Sequence, residues 1–208
     1  MKELYTAVLE GKAKEAKAIT EKALAEGANP QKLVDEAMIP AMAEVGRRFE
    51  ANEYFVPELL ISARAMKAAL EPIRPLLVKS GVKPVGRVAI GTVKGDLHDI
   101  GKNLVGAMLE GGGFEVVDLG VDVSSDKFIA AVKEKGVNLV ALSALLTTTM
   151  PSMKSTIEGM KAQGVRENVK VIIGGAPVTQ QYAEEIGADG YADNASSAVT
   201  VAKKVLGA

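Results

Sequence analysis

The sequence predicts a helical first segment joined to a doubly wound α/β segment with a five-stranded parallel sheet, and three observations carry that prediction. Residues 1 to about 80 hold no strand-like run; Ala, Glu, Lys and Leu dominate, with apolar residues at three- and four-residue spacing that puts them on one helix face. From residue 87 onward, short apolar runs rich in β-branched residues alternate with helical patterns. Between the halves, residues 78–86 (Val-Lys-Ser-Gly-Val-Lys-Pro-Val-Gly) mix Gly, Pro and Lys, which is linker chemistry. The boundary is set there: a helical domain over 1–80 and an α/β domain over 87–208, with Gly81 and Gly86 as hinge candidates.

The first half divides into four helices, 2–9, 12–26, 30–50 and 56–77, with breaks at Gly11, Gly27-Ala28-Asn29-Pro30 and Asn52. The second break is a full stop-and-start signal. Gly27 suits the residue after a helix end, Asn29 can cap the next helix, and Pro30 fits its first turn. Four short-looped helices of this size predict a small antiparallel four-helix bundle. In the second half, strands fall near 87–93, 115–119, 138–143, 169–174 and 189–191. Helical connections between parallel strands cross over with a right hand, and the flavodoxin-like order 2-1-3-4-5 is expected, with a switch point between the first and third strands.

Composition narrows the function. With 25 basic and 26 acidic residues the net charge is −1, which leaves no electrostatic footprint for nucleic acid or an anionic membrane. The chain has no cysteine, so disulfides, thiolate metal sites and iron–sulfur clusters are excluded. Met1-Lys2-Glu3 opens directly into an amphipathic helix, and no apolar stretch is long enough for a signal peptide or a membrane span. A cytoplasmic location is expected.

Chemistry concentrates after the first strand. Gly95-Asp96-Leu97-His98-Asp99-Ile100-Gly101 holds the only histidine of the chain, in a turn between an apolar strand and a helix read over Asn103 to Glu110. That arrangement brings a ligand close to backbone at the carboxyl edge of a parallel sheet. Two more strand ends share the edge: Ser143-Ala144-Leu145-Leu146-Thr147-Thr148-Thr149, a row of small hydroxyls, and Gly174-Gly175-Ala176-Pro177, a backbone with little side chain. Together they describe a cleft for something flat or long. A hydrolytic zinc site needs about three protein ligands, which one histidine does not provide. Leu97-His98-Asp99-Ile100-Gly101-Lys102 also resembles the HD phosphohydrolase signature, but that family is all-helical and uses several histidines. A lone imidazole does suffice as an axial ligand when a macrocycle supplies the rest, and Asp96 can take the proton of its other ring nitrogen. Plainer roles stand beside these. Thr147 to Thr149 suit capping of a helix with Pro151 in its first turn, the double glycine suits a turn, and Phe49, Val56 and Leu59 suit a helical core.

Asp96-x-His98-x-x-Gly101, Ser143-x-Leu145 and Gly174-Gly175, in that order, resemble the signature of cobalamin-binding domains. Val45-Gly46-Arg47-Arg48-Phe49 and Tyr54-Phe55-Val56-Pro57-Glu58 resemble the helical cap that precedes this domain in methionine synthase and in the corrinoid proteins of methanogens and acetogens, so the resemblance spans the whole chain. It implies a Rossmann-like cobalamin domain under a helical cap, binding the corrinoid base-off and His-on. His98 would be the cobalt ligand, Asp96 its hydrogen-bonded partner, and Gly95, Leu97, Asp99, Ile100 and Gly101 the rest of the binding loop. Ser143, Leu145 and Thr147 would line the slot for the benzimidazole tail, and Gly174, Gly175 and Ala176 would let backbone approach the nucleotide. Thr149 stands where methionine synthase has the serine of its proton relay and keeps the hydroxyl. Phe49, Val56 and Leu59 align with apolar residues over the methyl group, and Tyr191 and Asn194 border that pocket.

The implied function is a non-autonomous methyl carrier. It would receive a methyl group on cobalt from a substrate-specific corrinoid methyltransferase and deliver it to a second methyltransferase acting on tetrahydrofolate or coenzyme M, with a reductive activase as a further partner. Methanol, methylamines, methoxylated aromatics and betaines stay open as donors. An adenosylcobalamin mutase subunit needs a substrate barrel that 80 helical residues do not make. A corrinoid-dependent regulator or light sensor shares the cap but needs an effector module. A haem protein with one axial histidine is the alternative of different chemistry, and eight Phe and Tyr are few for a haem pocket.

Overall fold

The computed structural model describes residues 1–80 and 84–208, which form two compact units. One comprises Met1–Pro84 with Ala107–Gly113, the other Val85–Gly106 with Phe114–Ala208.

The first unit is helical among its described residues. Helix α1 (Lys2–Leu9) and α2 (Ala13–Ala25) are followed by a run from Pro30 to Glu50 made of α3 (Pro30–Leu33), a π turn (Val34–Met38) and α4 (Ile39–Glu50). Asn29 caps that run as expected, its side-chain oxygen accepting from the Gln31 and Lys32 amides with Pro30 in the first turn. The π turn has a cause in Pro40. Proline cannot donate to the Glu36 carbonyl and crowds it, so the turn ahead of it widens and the Ile39 amide reaches back five residues to Val34.

The single helix expected over 56–77 is two, α5 (Val56–Leu70) and α6 (Arg74–Ser80). Pro72 removes a donor and clashes with the carbonyl four residues back, which ends α5; Pro75 is tolerated in the first turn of α6. Leu4, Met38, Met42, Leu59, Met66 and Ile73 are the large side chains buried at the centre of these helices.

The second unit is a five-stranded sheet of β1 (Arg87–Thr92), β2 (Glu115–Asp118), β3 (Leu139–Ser143), β4 (Lys170–Gly174) and β5 (Gly190–Ala192). Every pairing is parallel and the order is β2-β1-β3-β4-β5, as the alternating pattern predicts. Helices α7 (Ile100–Gly111), α8 (Ser125–Lys135), α9 (Pro151–Ala162), α10 (Gln180–Ile186) and α11 (Ala195–Leu206) make the crossovers and the end of the chain. Burial of β1 and β3 along nearly their whole length explains why their sequences are apolar runs without alternation. Phe128, Leu142, Met153, Ile157 and Met160 fill one continuous core.

The expected linker is partly structured. Residues 78–80 belong to α6, and the hinge candidate Gly81 lies outside the described residues. Gly86 is no hinge. It is buried, its carbonyl accepts from the Glu115 amide at 2.9 Å, and a Cβ there would come within 2.7 Å of Leu206.

The register fixes where the site forms. Thr92 pairs with Ser143, Ser143 with Gly174, and Gly174 with Ala192, so four strands end level. Their loops leave from one edge.

Candidate functional site

Asp96 is the buried centre of that edge, with none of its side chain exposed, while the His98 ring beside it is half exposed. A buried carboxylate needs donors, and five converge on it. Oδ1 accepts from the His98 amide at 3.0 Å and from His98 Nδ1 at 2.7 Å. Oδ2 accepts from the Leu145 amide at 2.8 Å, from the Thr149 hydroxyl at 2.7 Å and, at the longer distance of 3.4 Å, from the Leu146 amide. Burial alone would push this carboxyl up, but the donated bonds from His98, Leu145 and Thr149 outweigh it and hold Asp96 well below the usual carboxylate range.

The tautomer follows. An ionised carboxylate only accepts, so Nδ1 carries the proton, and the neutral ring has its lone pair on Nε2. The Thr149 hydroxyl also lies 2.9 Å from the Leu146 carbonyl, but has one proton to give, and the charged carboxylate is the stronger acceptor.

Three contacts outside the expected set shape this loop. The Thr92 hydroxyl donates to the His98 carbonyl at 2.8 Å. Lys102 is buried in the first turn of α7 and its ammonium meets both Asp118 oxygens at 2.7 and 2.6 Å. Asp122, in the turn after β2, accepts the Gly95 amide at 2.7 Å. The Thr92 contact is local, six residues apart, whereas Lys102 and Asp122 acquire their partners only when strands β1 and β2 lie side by side, so the sequence alone carries little signal for those two.

Of the expected residues, the structure brings Gly95 to Gly101, Leu145 and Thr149 together around Asp96. Leu97 and Ile100 are apolar yet 72% and 79% exposed, and Leu145 stands open on the same edge. A Cβ at Gly101 would meet nothing within 4 Å. Ser143 closes β3 and uses its carbonyl to accept the Val93 amide. Thr147 and Ala176 are exposed. Asp99, just before α7, accepts from the Asn103 side chain in its first turn at 3.1 Å.

One reading is corrected, and other expected residues have a role within the fold itself. Thr149 does not cap α9: Met150 holds the capping position without a side-chain bond, and the hydroxyl goes to Asp96. The chain's own backbone requires the double glycine. Gly175 has φ 133, and a Cβ there would run into the Ala144 carbonyl oxygen, while one at Gly174 would stand 2.9 Å from the Ala192 carbonyl. Asn194 caps α11, its Oδ1 accepting the Ser196 and Ser197 amides, and Tyr191 packs against the sheet core.

In the helical unit, Leu59 is fully buried among helices and belongs to their core, whereas Val56 is exposed and Phe49 half-buried. The arginine pair next to Phe49 grips Glu44, whose carboxyl the Arg47 and Arg48 bonds lower to about 2. Arg48 also stacks over the Tyr54 ring, 5.1 Å from its centroid, and Glu58 accepts the Phe55 amide at 2.9 Å.

This edge can present one imidazole lone pair inside an open apolar surround. Among the described residues no group of three or more His, Asp or Glu side chains is placed to hold a metal ion, so a metal ligated by His98 brings its other ligands with it. A corrinoid does so, and the exposed Leu97, Ile100 and Leu145 with the open space at Gly101 suit a broad apolar ring system.

Residues 86–200 match a B12 binding domain family, and residues 1–73 match a second B12 binding domain family. The chain is 44% identical over 207 residues to dimethylamine corrinoid protein 1 of Methanosarcina acetivorans, covering 99% of this chain and 97% of that one. It is 46% identical over 190 residues to trimethylamine corrinoid protein 2 of Methanosarcina mazei, covering 90% and 87%. Its fold superposes with a TM-score of 0.86 on the methanol:cobalamin methyltransferase complex of Methanosarcina barkeri, at 30% identity over 99% of this chain and 78% of that one. The histidine loop, the sheet edge and the helical unit all fall inside these matches, and the chain belongs to the family of B12-binding corrinoid proteins.

Proposed function

We propose that this chain is the methyl-carrying corrinoid protein of a methyltransferase system, holding cobalamin base-off with His98 as the lower ligand. One partner is a substrate-specific corrinoid methyltransferase, and the other is a methyltransferase acting on tetrahydrofolate or coenzyme M; a reductive activase completes the set. When bound, the corrinoid supplies the cobalt that accepts and gives up the methyl group.

The observation that carries this reading is the Asp96–His98 pair. A fully buried, ionised carboxylate keeps the proton on Nδ1 and so offers Nε2 as the donor. Thr149 and the Leu145 amide keep Asp96 charged, and thereby set how strongly Nε2 donates. The name of the methanol:cobalamin methyltransferase complex supports a methyltransferase partner, and the names of the dimethylamine and trimethylamine corrinoid proteins make methylated amines the first donors to test. A net charge of −1 and no helix, among the described residues, long and apolar enough to cross a membrane accord with a cytoplasmic carrier.

The test is reconstitution with hydroxocobalamin followed by reduction to cobalt(II). The parent should show nitrogen splitting in its paramagnetic spectrum and His98→Ala should not. The carrier is then reduced by one further electron to cobalt(I) with a low-potential chemical reductant and incubated with dimethylamine, trimethylamine or methanol and the matching methyltransferase. A parent without nitrogen splitting overturns His98 ligation; a carrier that no donor methylates overturns methyl transport.

A further inference from the structure

We propose that Asp122 is a positioning residue for His98, gripping the backbone on both sides of Asp96 from the turn between β2 and α8. Its Oδ1 accepts the Gly95 amide at 2.7 Å, and its own amide donates to the Asp96 carbonyl at 3.0 Å. Asp96 therefore has the peptide group before Gly95 and the one after itself held by a single residue of another loop.

Asp122 adopts φ 50, a left-handed conformation that most side chains avoid and that Asp and Asn tolerate best. That conformation lets one residue present its amide and its carboxylate to the same loop. The strain is supported from outside. Asp118 holds the buried Lys102 ammonium and also accepts the Gly120 amide at 2.8 Å. The Gly120 carbonyl accepts the Thr92 amide at 3.0 Å, and the Val123 amide donates to the Thr92 carbonyl at 2.9 Å. The turn is thus fastened to β1 before and after Asp122.

Gly95 has little else to fix it. It stands at φ 85, and a Cβ there would approach only the Thr149 methyl, at 3.6 Å. Both of the hydrogen bonds that Asp122 makes to this loop go to its backbone, so Asp122 acts through placement. This inference rests on the reading that His98 ligates cobalt.

The experiment compares Asp122→Asn with Asp122→Gly in the full chain. Asn keeps an oxygen acceptor and tolerates the left-handed backbone; Gly accepts that backbone freely but has no acceptor. In the cofactor-free protein, amide exchange at Gly95 should match the parent in the Asn variant and quicken about three- to tenfold in the Gly variant, the loss of one partly exposed hydrogen bond. After reconstitution with hydroxocobalamin and reduction, the Asn variant should keep the nitrogen splitting. The Gly variant should hold an undiminished amount of corrinoid but show a second population without nitrogen on cobalt.

Gly95 exchange and nitrogen splitting unchanged in Asp122→Gly would overturn the proposal, as would equal loss in both variants. An Asp122→Gly chain that fails to fold while Asp122→Asn behaves as the parent would assign Asp122 to the fold instead, and so overturn it as well. A parent lacking nitrogen splitting would sink the ligation reading separately, and Gly95 exchange would still decide whether Asp122 grips the loop.

Discussion

Replacing Thr149 with Val removes one hydroxyl and keeps nearly the same volume, so it isolates what that hydroxyl does for Asp96. A hydrogen bond to a charged acceptor contributes ~1.5–3 kcal/mol. Asp96 Oδ2 would keep the Leu145 amide at 2.8 Å and the weaker Leu146 amide at 3.4 Å, so the carboxylate is not orphaned. The loss then lies near ~2 kcal/mol, because a buried charge gives up one of its two short bonds on that oxygen. For a chain of this length that corresponds to a fall in Tm of about 4–8 °C. The assay is thermal unfolding of the cofactor-free protein, followed by NMR at amides of β3 so that the sheet unit is read by itself. Thr149→Ser should recover most of the loss, since the hydroxyl returns and only a methyl is missing.

The pH dependence has a definite sign. Asp96 is held below its ordinary pKa in the folded protein, so its contribution is complete above the usual carboxylate range and fades as pH falls below about 4 toward the folded value. The difference between parent and Thr149→Val should therefore be full at neutral pH and shrink in acid. A Val variant as stable as the parent at neutral pH would refute the account of how Asp96 stays charged.

Three other substitutions separate the roles of neighbouring residues. His98→Ala should abolish the nitrogen signal of the bound cofactor yet cost the cofactor-free fold only about 1 kcal/mol in urea unfolding, because the ring is half exposed. Gly175→Ala should destabilise the cofactor-free protein by about 2 kcal/mol or more, since the new Cβ meets the Ala144 carbonyl at a φ that suits glycine; a loss confined to cobalamin binding would contradict this. Leu59→Ala should cost ~2–5 kcal/mol without any cofactor, measured by calorimetry, and an effect seen only in the loaded protein would make Leu59 a contact to the corrinoid instead.

The sheet was legible because parallel strands covered on both faces must be short apolar runs, and the glycine and proline signals between them marked the turns. The break between α5 and α6 was present in the sequence as Pro72, yet the apolar spacing of Leu70, Ile73 and Leu76 continues across it, so periodicity hides it. Leu59 could have been assigned from its stripe. Leu59, Ala63, Met66 and Leu70 recur at four- and three-residue steps and are the buried face of α5; Leu60 lies off that stripe and is exposed, and Val56, close to the stripe but at the first position of the helix, is exposed as well. The Asp96–His98 pair is local and was readable from its spacing. The partners that make it work were not: Leu145 and Thr149 lie 49 and 53 residues away, and Asp122 lies 27 residues from Gly95. Only the register of the finished sheet brings them together.

That distance sets an order of events during synthesis. When the ribosome has released the first 140 residues, the imidazole and Asp96 both exist, but the amide of Leu145 and the hydroxyl of Thr149 do not. Asp96 is then a solvated carboxylate with no reason to leave water, and nothing aims the ring. The full set of donors to Asp96 exists only after β3 has docked beside β1 and the following loop has closed over the carboxylate. A chain cut short before Thr149 thus carries its histidine without the full set of contacts that hold Asp96 charged beside it.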